Sequence, residues 1–355
     1  MCPNRKVNRQ AGFSLVELVI SMGVMTIITA AAFALIGGSI RFTNATFHMT
    51  DAEQTMRTAH EIINRDLTTA GNGLRGVSTI KVPRAFVANY LTLTPDPTDP
   101  NYVNLALVVS DDSVPGTTAV LQSNPARNVL GGSDRLTMLT QDTAFQPTVS
   151  LLAGKITSSG SNTNLLITAA DIGRFQVGEI YAITTQIGLA FGVITSIDTI
   201  TNTLVMSNGD LYGINQTGAG TPINTISMIV AGLSTQAASI MRMQLIHYYV
   251  DASNLLVRRV FGVRGVGFVD SVIAEHVTNL QFRYLLNKTD PNGFVAQPVR
   301  LVTAADQLSV REVETTLTVE TVRAVNAVTN TNNGRQGLTT TTATTVRNLQ
   351  FRKAL

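Results

Sequence analysis

The feature that most constrains this chain is an apolar run near its N-terminus, from Phe13 to Ile40, in which Glu17 is the only charged side chain. As an α-helix with a rise of 1.5 Å per residue, the run extends over about 42 Å. The hydrocarbon core of a bilayer is about 30 Å thick, so a helix of this length can cross it. The sequence therefore predicts a transmembrane helix at about residues 13–40.

The twelve residues before the run are polar and basic, with three cationic side chains and no acidic one: Arg5, Lys6 and Arg9. Because cationic residues stay on the cytoplasmic side, this asymmetry predicts that the body of the chain lies on the far side of the membrane. Beyond residue 12, 23 basic side chains balance 23 acidic ones. The charge therefore gives no reason to expect a nucleic-acid partner.

Glu17 is the residue of the apolar run that most needs an explanation, because a carboxylate within a membrane span is costly unless it is paired. The stretch Gly12-Phe13-Ser14-Leu15-Val16-Glu17-Leu18 resembles the prepilin processing motif of type IV pilins. That motif has a basic leader ending in Gly, an aromatic first mature residue and a glutamate at the fifth mature position. The resemblance implies cleavage by a prepilin peptidase between Gly12 and Phe13, and methylation of the new Phe13 amine. It also implies that Glu17 pairs with the terminal amine of a neighbouring subunit during assembly.

An ordinary secretory signal is the alternative interpretation of the same residues. Its basic segment, apolar segment and the small residues of Ala32-Phe33-Ala34 would give a mature chain that begins at Leu35. This interpretation leaves Glu17 unexplained and requires an unusually long apolar segment, so we rank it second.

The helical pattern continues beyond the membrane span as an apolar stripe with steps of three and four residues. The stripe comprises Ala45, Met49, Ala52, Met56, Ala59, Ile63, Leu67 and Ala70. Glu53 and Arg57, and Glu61 and Arg65, have the spacing of favourable i,i+4 pairs. Gly71 and Gly73 are typical helix stop signals. We expect one helix from about Phe13 to Ala70, transmembrane at first and then amphipathic.

From residue 71 to 355 the sequence predicts a β-rich head, because short runs of Val, Ile, Thr and Leu alternate with Gly, Asn, Pro and Asp. A β-meander is predicted as an insert at about residues 150–225. Residues 241–251 and 255–260 are predicted to form a hairpin, and residues 273–286 and 311–326 to form strands. Residues 344–351 are predicted to close the sheet after a Thr-rich loop. The fold class is therefore α+β, with a long N-terminal helix packed on a β-rich head, as in the type IV pilin fold.

The order of several stretches, most of them in the C-terminal part of the chain, resembles the large minor pilins of the PilW type. The supporting stretches are Arg65-Asp66-Leu67, His247-Tyr248-Tyr249-Val250, Val277 to Tyr284, and Thr345-Val346-Arg347-Asn348-Leu349. The resemblance implies a structural subunit that takes part in the initiation of a type IV pilus. Its partners would be prepilin peptidase, other major and minor pilins, the inner-membrane assembly platform and membrane lipid. It would span the bacterial inner membrane once, with the head in the periplasm and later in the pilus at the cell surface.

No constellation of catalytic residues is recognisable, so we expect no enzyme, no cofactor and no metal. Cys2 lies in the leader, and His48, His60, His247 and His276 lack the spacing of metal ligands. Acidic clusters at residues 96–101 and 111–112 lack EF-hand spacing and are interpreted as solvated turns, although calcium binding stays open. Two other functions stay open as well: a pseudopilin of type II secretion, and a tip adhesin or DNA-uptake pilin that binds a ligand through the head.

Overall fold

The computed structural model describes residues 14–74, 79–93, 101–111, 119–121, 127–145, 149–151, 156–159, 162–184, 189–215, 238–264, 266–286, 296–297, 309–325 and 334–350. The predicted leader and both residues of the predicted cleavage site, Gly12 and Phe13, lie outside these ranges. The chain divides into two compact units, Met1–Asp51 with Thr321–Gln336, and Ala52–Glu320 with Gly337–Leu355.

Helix α1 spans Leu15–Thr69, within two residues of each predicted end. No proline interrupts it, so the i to i−4 hydrogen bonds continue along its whole length. Gly71 and Gly73 follow with φ angles of 74° and 76°, a left-handed conformation that glycine adopts without steric cost. The Gly71 N–H donates to the Leu139 carbonyl oxygen at 2.7 Å. The helix stop is therefore also a backbone link to the sheet of the head.

The described residues after α1 are mainly β-strands, numbered β1 to β20 in chain order: Thr79–Pro83, Tyr102–Ala106, Val108–Asp111, Ala119–Leu121, Arg127–Val129, Arg135–Gln141, Val149–Leu151, Ile156–Ser159, Asn162–Leu166, Ile180–Thr184, Leu189–Val193, Ser196–Asp198, Thr203–Ser207, Ala238–Val250, Leu256–Val263, Gly267–Ala274, Val277–Leu286, Ala296–Gln297, Val310–Glu320 and Gly337–Thr345. Short helical segments accompany them: α2 (Arg84–Phe86), a π-helical turn (Val87–Leu91), a 3₁₀ turn (Ile172–Arg174) and α3 (Arg347–Gln350). The α+β prediction of a long apolar helix followed by a β-rich head is thus confirmed.

Strand β14 is the spine of an antiparallel eight-stranded sheet. Residues 239–243 pair with β10 and residues 245–250 with β15, which follow one another along one side of β14. Strands β7 and β6 pair along its other side, at residues 238–240 and 243–248. Strands β11, β16 and β3 complete this sheet. The hairpin predicted across residues 252–254 is the β14–β15 pair.

The predicted insert at residues 150–225 is not one continuous meander. Strands β8, β9, β12 and β13 form a separate sheet in the order β12-β13-β9-β8, whereas β10 and β11 join the eight-stranded sheet. The reason is the burial of β10: residues 180–183 are all buried, so both faces of this strand need cover. After β13 the chain turns at Asp210, whose carboxylate accepts the N–H groups of Tyr212, Ile214 and Asn215.

The C-terminal sheet has the order β18-β17-β19-β20. Two predictions here are wrong in their boundaries. The strand predicted at residues 273–286 is broken where His276 adopts a φ of 57°, so it divides between β16 and β17. The closing strand is β20, within the Thr-rich stretch predicted to be a loop, and residues 347–350 are helical. Threonine is β-branched and suits an exposed strand, which a composition-based loop prediction overlooks.

Candidate membrane and assembly helix

The first part of α1 exposes apolar side chains on all of its faces. Every residue from Ser14 to Ile36 is exposed, including Leu15 at 80%, Phe33 at 69% and Leu35 at 76%. Among the described residues, α1 is the one helix that is long and apolar enough to cross a membrane. A surface of this kind needs either lipid or the helices of other subunits as its environment.

The hydroxyl groups of this segment are satisfied within the helix itself. Ser21 donates to the Leu18 carbonyl oxygen at 2.9 Å. Thr26 and Thr29 each donate to the carbonyl oxygen four residues earlier, both at 2.7 Å. Because lipid offers no hydrogen-bond partner, this back-bonding lowers the cost of placing hydroxyls in a membrane.

Glu17 lies in the first turn of α1 and is the only charged side chain between residues 14 and 40. A carboxylate in the first turn interacts favourably with the helix dipole, which helps the helix to begin here. Its side chain is exposed. The structure therefore presents Glu17 as an unburied carboxylate on the apolar segment, available to a group from another molecule.

The second part of α1, from Ala52 onward, packs against the head. The predicted stripe is buried here, with Ala59, Ile63, Leu67 and Ala70 each 0% exposed. Ala45 and Met49, the first two members of the stripe, are half-buried. The amphipathic half of the helix prediction is thus confirmed for the residues that face the sheet.

Sequence reasoning missed a buried ion pair on this face. The Arg258 Nε donates to the Asp66 carboxylate at 2.5 Å, and the Tyr248 hydroxyl donates to the same oxygen at 2.6 Å. Burial, and then the Asp66 charge, raise the pKa of Tyr248, so the phenol stays protonated and donates. The signal in the sequence was the position of Asp66 between Ile63 and Leu67 on the apolar stripe, where a carboxylate needs a partner.

Polar contacts also join α1 to β20 and α3. His60 Nδ1 and Thr342 Oγ1 are 2.8 Å apart, and Thr344 donates to Asn64 Oδ1 at 2.6 Å. Asn348 Nδ2 donates to the Ala70 carbonyl oxygen at 3.1 Å. Burial lowers the pKa of His60, against a hydrogen bond with the Thr340 backbone. His60 is therefore a neutral packing residue, and not one of a set of ligands.

Another group of titratable residues surrounds a cavity of about 360 Å³ beside β10 and β14. Arg242 donates to Asp142 at 2.9 Å and to Glu179 at 2.8 Å, and the Tyr181 hydroxyl also donates to Glu179. Burial, followed by the hydrogen bond to Glu179, raises the pKa of Tyr181. Arg264 Nε also lies 3.7 Å from the Glu179 carboxylate. Two cations thus balance the two carboxylates, so the cluster offers neither an activated nucleophile nor a free base.

Metal binding has no support in the part of the chain that the structure describes, where no group of three or more His, Cys, Asp or Glu residues could hold an ion. The acidic cluster at residues 96–101 lies outside the described residues, as does Asp112. Asp111 is buried, with its Oδ2 3.6 Å from Arg135 Nη2, which is a structural ion pair and not a solvated turn.

Comparison with known proteins connects the helix to one sequence family. Residues 7–33 match the family model for the prokaryotic N-terminal methylation motif. No curated protein and no solved structure matches the chain. The matched motif includes Gly12, Phe13 and Glu17, and it supports a type IV pilin-like prepilin, a class that includes pseudopilins. It implies processing by prepilin peptidase and association with pilins, and with the apolar helix it fits membrane anchoring.

Proposed function

We propose that the chain is a PilW-type minor pilin, a structural and non-catalytic subunit that takes part in the initiation of a type IV pilus. In this proposal residues 1–12 are the leader, residues 13–70 the assembly helix and residues 71–355 the periplasmic head. The observation that carries the proposal is the methylation motif at residues 7–33, which continues into an apolar helix with an exposed carboxylate at Glu17.

The proposed mechanism follows from the two parts of α1. Prepilin peptidase hydrolyses the Gly12–Phe13 bond, and the new Phe13 amine is methylated. The apolar part holds the subunit in the inner membrane until assembly, and then packs against the helices of other subunits. Glu17 pairs with the terminal amine of a neighbour, because two opposite charges are less costly in lipid together than apart.

Contacts within the head support the PilW-type assignment. The stretches that carry the resemblance meet around the end of α1, since Asp66 accepts from Tyr248 and Asn348 donates to Ala70. The fourth stretch is β17, which pairs with β19. Three of the four stretches thus meet at one junction between helix and head, as expected if they are features of a common fold.

The experiment that tests the proposal is the intact mass and N-terminal sequence of the protein from native membranes, with and without prepilin peptidase. We expect a methylated Phe13 terminus that depends on the peptidase. A terminus at Leu35 that is indifferent to the peptidase would refute the pilin proposal. Because pseudopilins carry the same motif, deletion of the gene then separates the classes: loss of pili supports a minor pilin, and loss of protein secretion with intact pili supports a pseudopilin.

A further inference from the structure

Strand β20 lies at the end of the C-terminal sheet. Among the described residues it pairs with β19 on one side and with no strand on the other, and we call this other side the open edge. The Val346 N–H donates to the Arg311 carbonyl oxygen, and this bond determines which residues of β20 are hydrogen-bonded to β19. Even-numbered residues of β20 therefore bond to β19, and the odd-numbered Thr339, Thr341 and Ala343 direct their N–H and C=O groups to the open edge.

A groove of about 740 Å³ runs between this strand and the flank of α1. It is lined by Glu53, Met56, Arg57, His60, Glu61, Asn64, Leu338, Thr339, Thr340 and Thr342. Thr339 lies on the outer face of the sheet, where its hydroxyl is 3.0 Å from that of Thr318, whereas Thr342 faces α1. Since residues of both faces line the groove, the groove opens along the open edge of β20.

The charges of the flank restrict what can occupy the groove. Glu53 and Arg57 are paired at 3.6 Å. Glu61 is exposed and forms no hydrogen bond or ion pair with any described residue. The predicted partner of Glu61, Arg65, instead lies 3.8 Å from Asp66. The lining of the groove therefore contains two acids and one base, which favours a Lys or Arg side chain over a phosphate group. Two copies of this chain meeting edge to edge would bring two such flanks together, which disfavours a second copy.

We propose that the open edge of β20 receives an extended segment of a different pilin-like subunit, which adds a strand to the sheet and places a Lys or Arg opposite Glu61. The inference rests on the proposed function, because it takes the partner from the same assembly. Unpaired strand N–H and C=O groups are matched best by another extended backbone, and side chains facing the groove then give selectivity. Glu53, Arg57 and Glu61 belong to the same helix that begins with the methylation motif.

The test is photo-crosslinking of the full chain in its native membrane. The probe p-benzoyl-L-phenylalanine is placed at position 341, and in a matched control at position 271, an exposed position on β16 at the edge of the other large sheet. We expect at least a tenfold higher adduct yield at 341, with the crosslinked peptide belonging to a different subunit that carries the methylation motif. Equal yields, no adduct, or an adduct with lipid or with a second copy would overturn the proposal.

Two variants test the chemistry of docking. With the probe at position 339, Thr341→Pro removes an N–H that β19 does not use and blocks strand addition. We expect at least a tenfold loss of adduct, whereas Thr341→Val should stay within twofold. Glu61→Gln should lower the yield several-fold, and Glu275→Gln, an exposed acid outside the groove, should not. An undiminished adduct in both Thr341→Pro and Glu61→Gln would overturn strand addition at this edge. If the Phe13 terminus depends on prepilin peptidase while the adduct is absent, this inference fails and the pilin proposal stands.

Discussion

Helix α1 contains two regions with opposite relations to their surroundings. In the first, Ile28 is 58% exposed, and the Thr26 and Thr29 hydroxyls bond to carbonyl oxygens of their own helix. In the second, Ile63 is 0% exposed and the buried Asp66 is bound by Arg258 and Tyr248. The second region of α1 is thus packed against residues of its own chain, whereas the first region leaves its apolar side chains exposed.

The difference indicates which region of α1 needs a partner from another molecule. A buried charge is tolerated in the second region because its partners come from the same chain. Glu17, the charge of the first region, has no such partner among residues 14–40. Substitutions in the second region should therefore reduce the stability of the isolated subunit, and substitutions in the first should affect assembly alone.

The largest expected effect follows from Asp66→Ala. It leaves Arg258 largely buried without its carboxylate, which should lower the free energy of unfolding by about 3–5 kcal/mol. The measurement is urea unfolding of the full chain in detergent, followed by circular dichroism. Glu53→Ala, which removes an exposed acid from the same helix, should change stability by less than about 0.5 kcal/mol. Equal effects of the two variants would contradict the assignment of Asp66 as a buried anchor.

Replacing one isoleucine by alanine in each region of α1 compares the packing of the two regions directly. Ile63→Ala should cost about 2–5 kcal/mol of unfolding free energy, because it leaves a cavity against the head. Ile28→Ala should leave the unfolding of the head unchanged in the same detergent, since no described residue covers Ile28. A loss of stability from Ile28→Ala similar to that from Ile63→Ala would show that the first region is packed within the subunit.

Glu17→Ala tests whether the first region of α1 needs a charged partner from another subunit. It makes the span more apolar, so membrane insertion should be retained. Loss of the charge pair with a neighbour should lower incorporation into sheared filaments at least tenfold, equivalent to about 1.4 kcal/mol or more. Immunoblots of the membrane and filament fractions measure both quantities. Asp51→Ala is the control, because it also removes one exposed acid from α1 and lies outside the groove beside β20. Normal incorporation of Glu17→Ala would refute the pairing role.

Helix α1 and its ends were predicted closely from local sequence patterns. Apolar periodicity, the absence of proline and the two terminal glycines are all signals from residues that are near one another in sequence. The stripe from Ala52 to Ala70 was predicted for the same reason. The pairing role of Glu17 stays a prediction, made from its spacing to Gly12, a motif that needs no tertiary information.

Long-range pairing could not be predicted in the same way. Arg258 finds Asp66 across 192 residues of sequence, and nothing local selects that partner over another acid. The division of residues 150–225 between two sheets depends on β14, which begins at Ala238. Strand β20 was missed because its threonines are typical of loops in composition, while their β-branched shape is favourable only beside β19.

The smallest expected effect concerns His247, which is completely buried in β14 with Nδ1 2.8 Å from Thr137 Oγ1. Its pKa is lowered well below 6.5 because burial, and then the Arg259 and Arg135 cations, disfavour the imidazolium. As the pH falls, the unfolded chain therefore binds a proton at this residue before the folded chain does. The stabilisation is fully present above pH 6.5 and is lost as the pH falls below that value, by at most about 1.4 kcal/mol per pH unit.

Urea unfolding of the full chain at pH 7.5, 6.5 and 5.5 measures this dependence. His247→Gln keeps a polar group near Thr137 but does not titrate, so it should remove about 1 kcal/mol of the difference between pH 6.5 and 5.5, because the unfolded histidine is already half protonated at pH 6.5. His60, whose pKa is also lowered by burial, contributes in the same direction and keeps part of the slope in that variant. An unchanged slope in His247→Gln would mean that this imidazole does not remain neutral in the folded head. Protons would then have more access to the surroundings of β14 than the packing indicates.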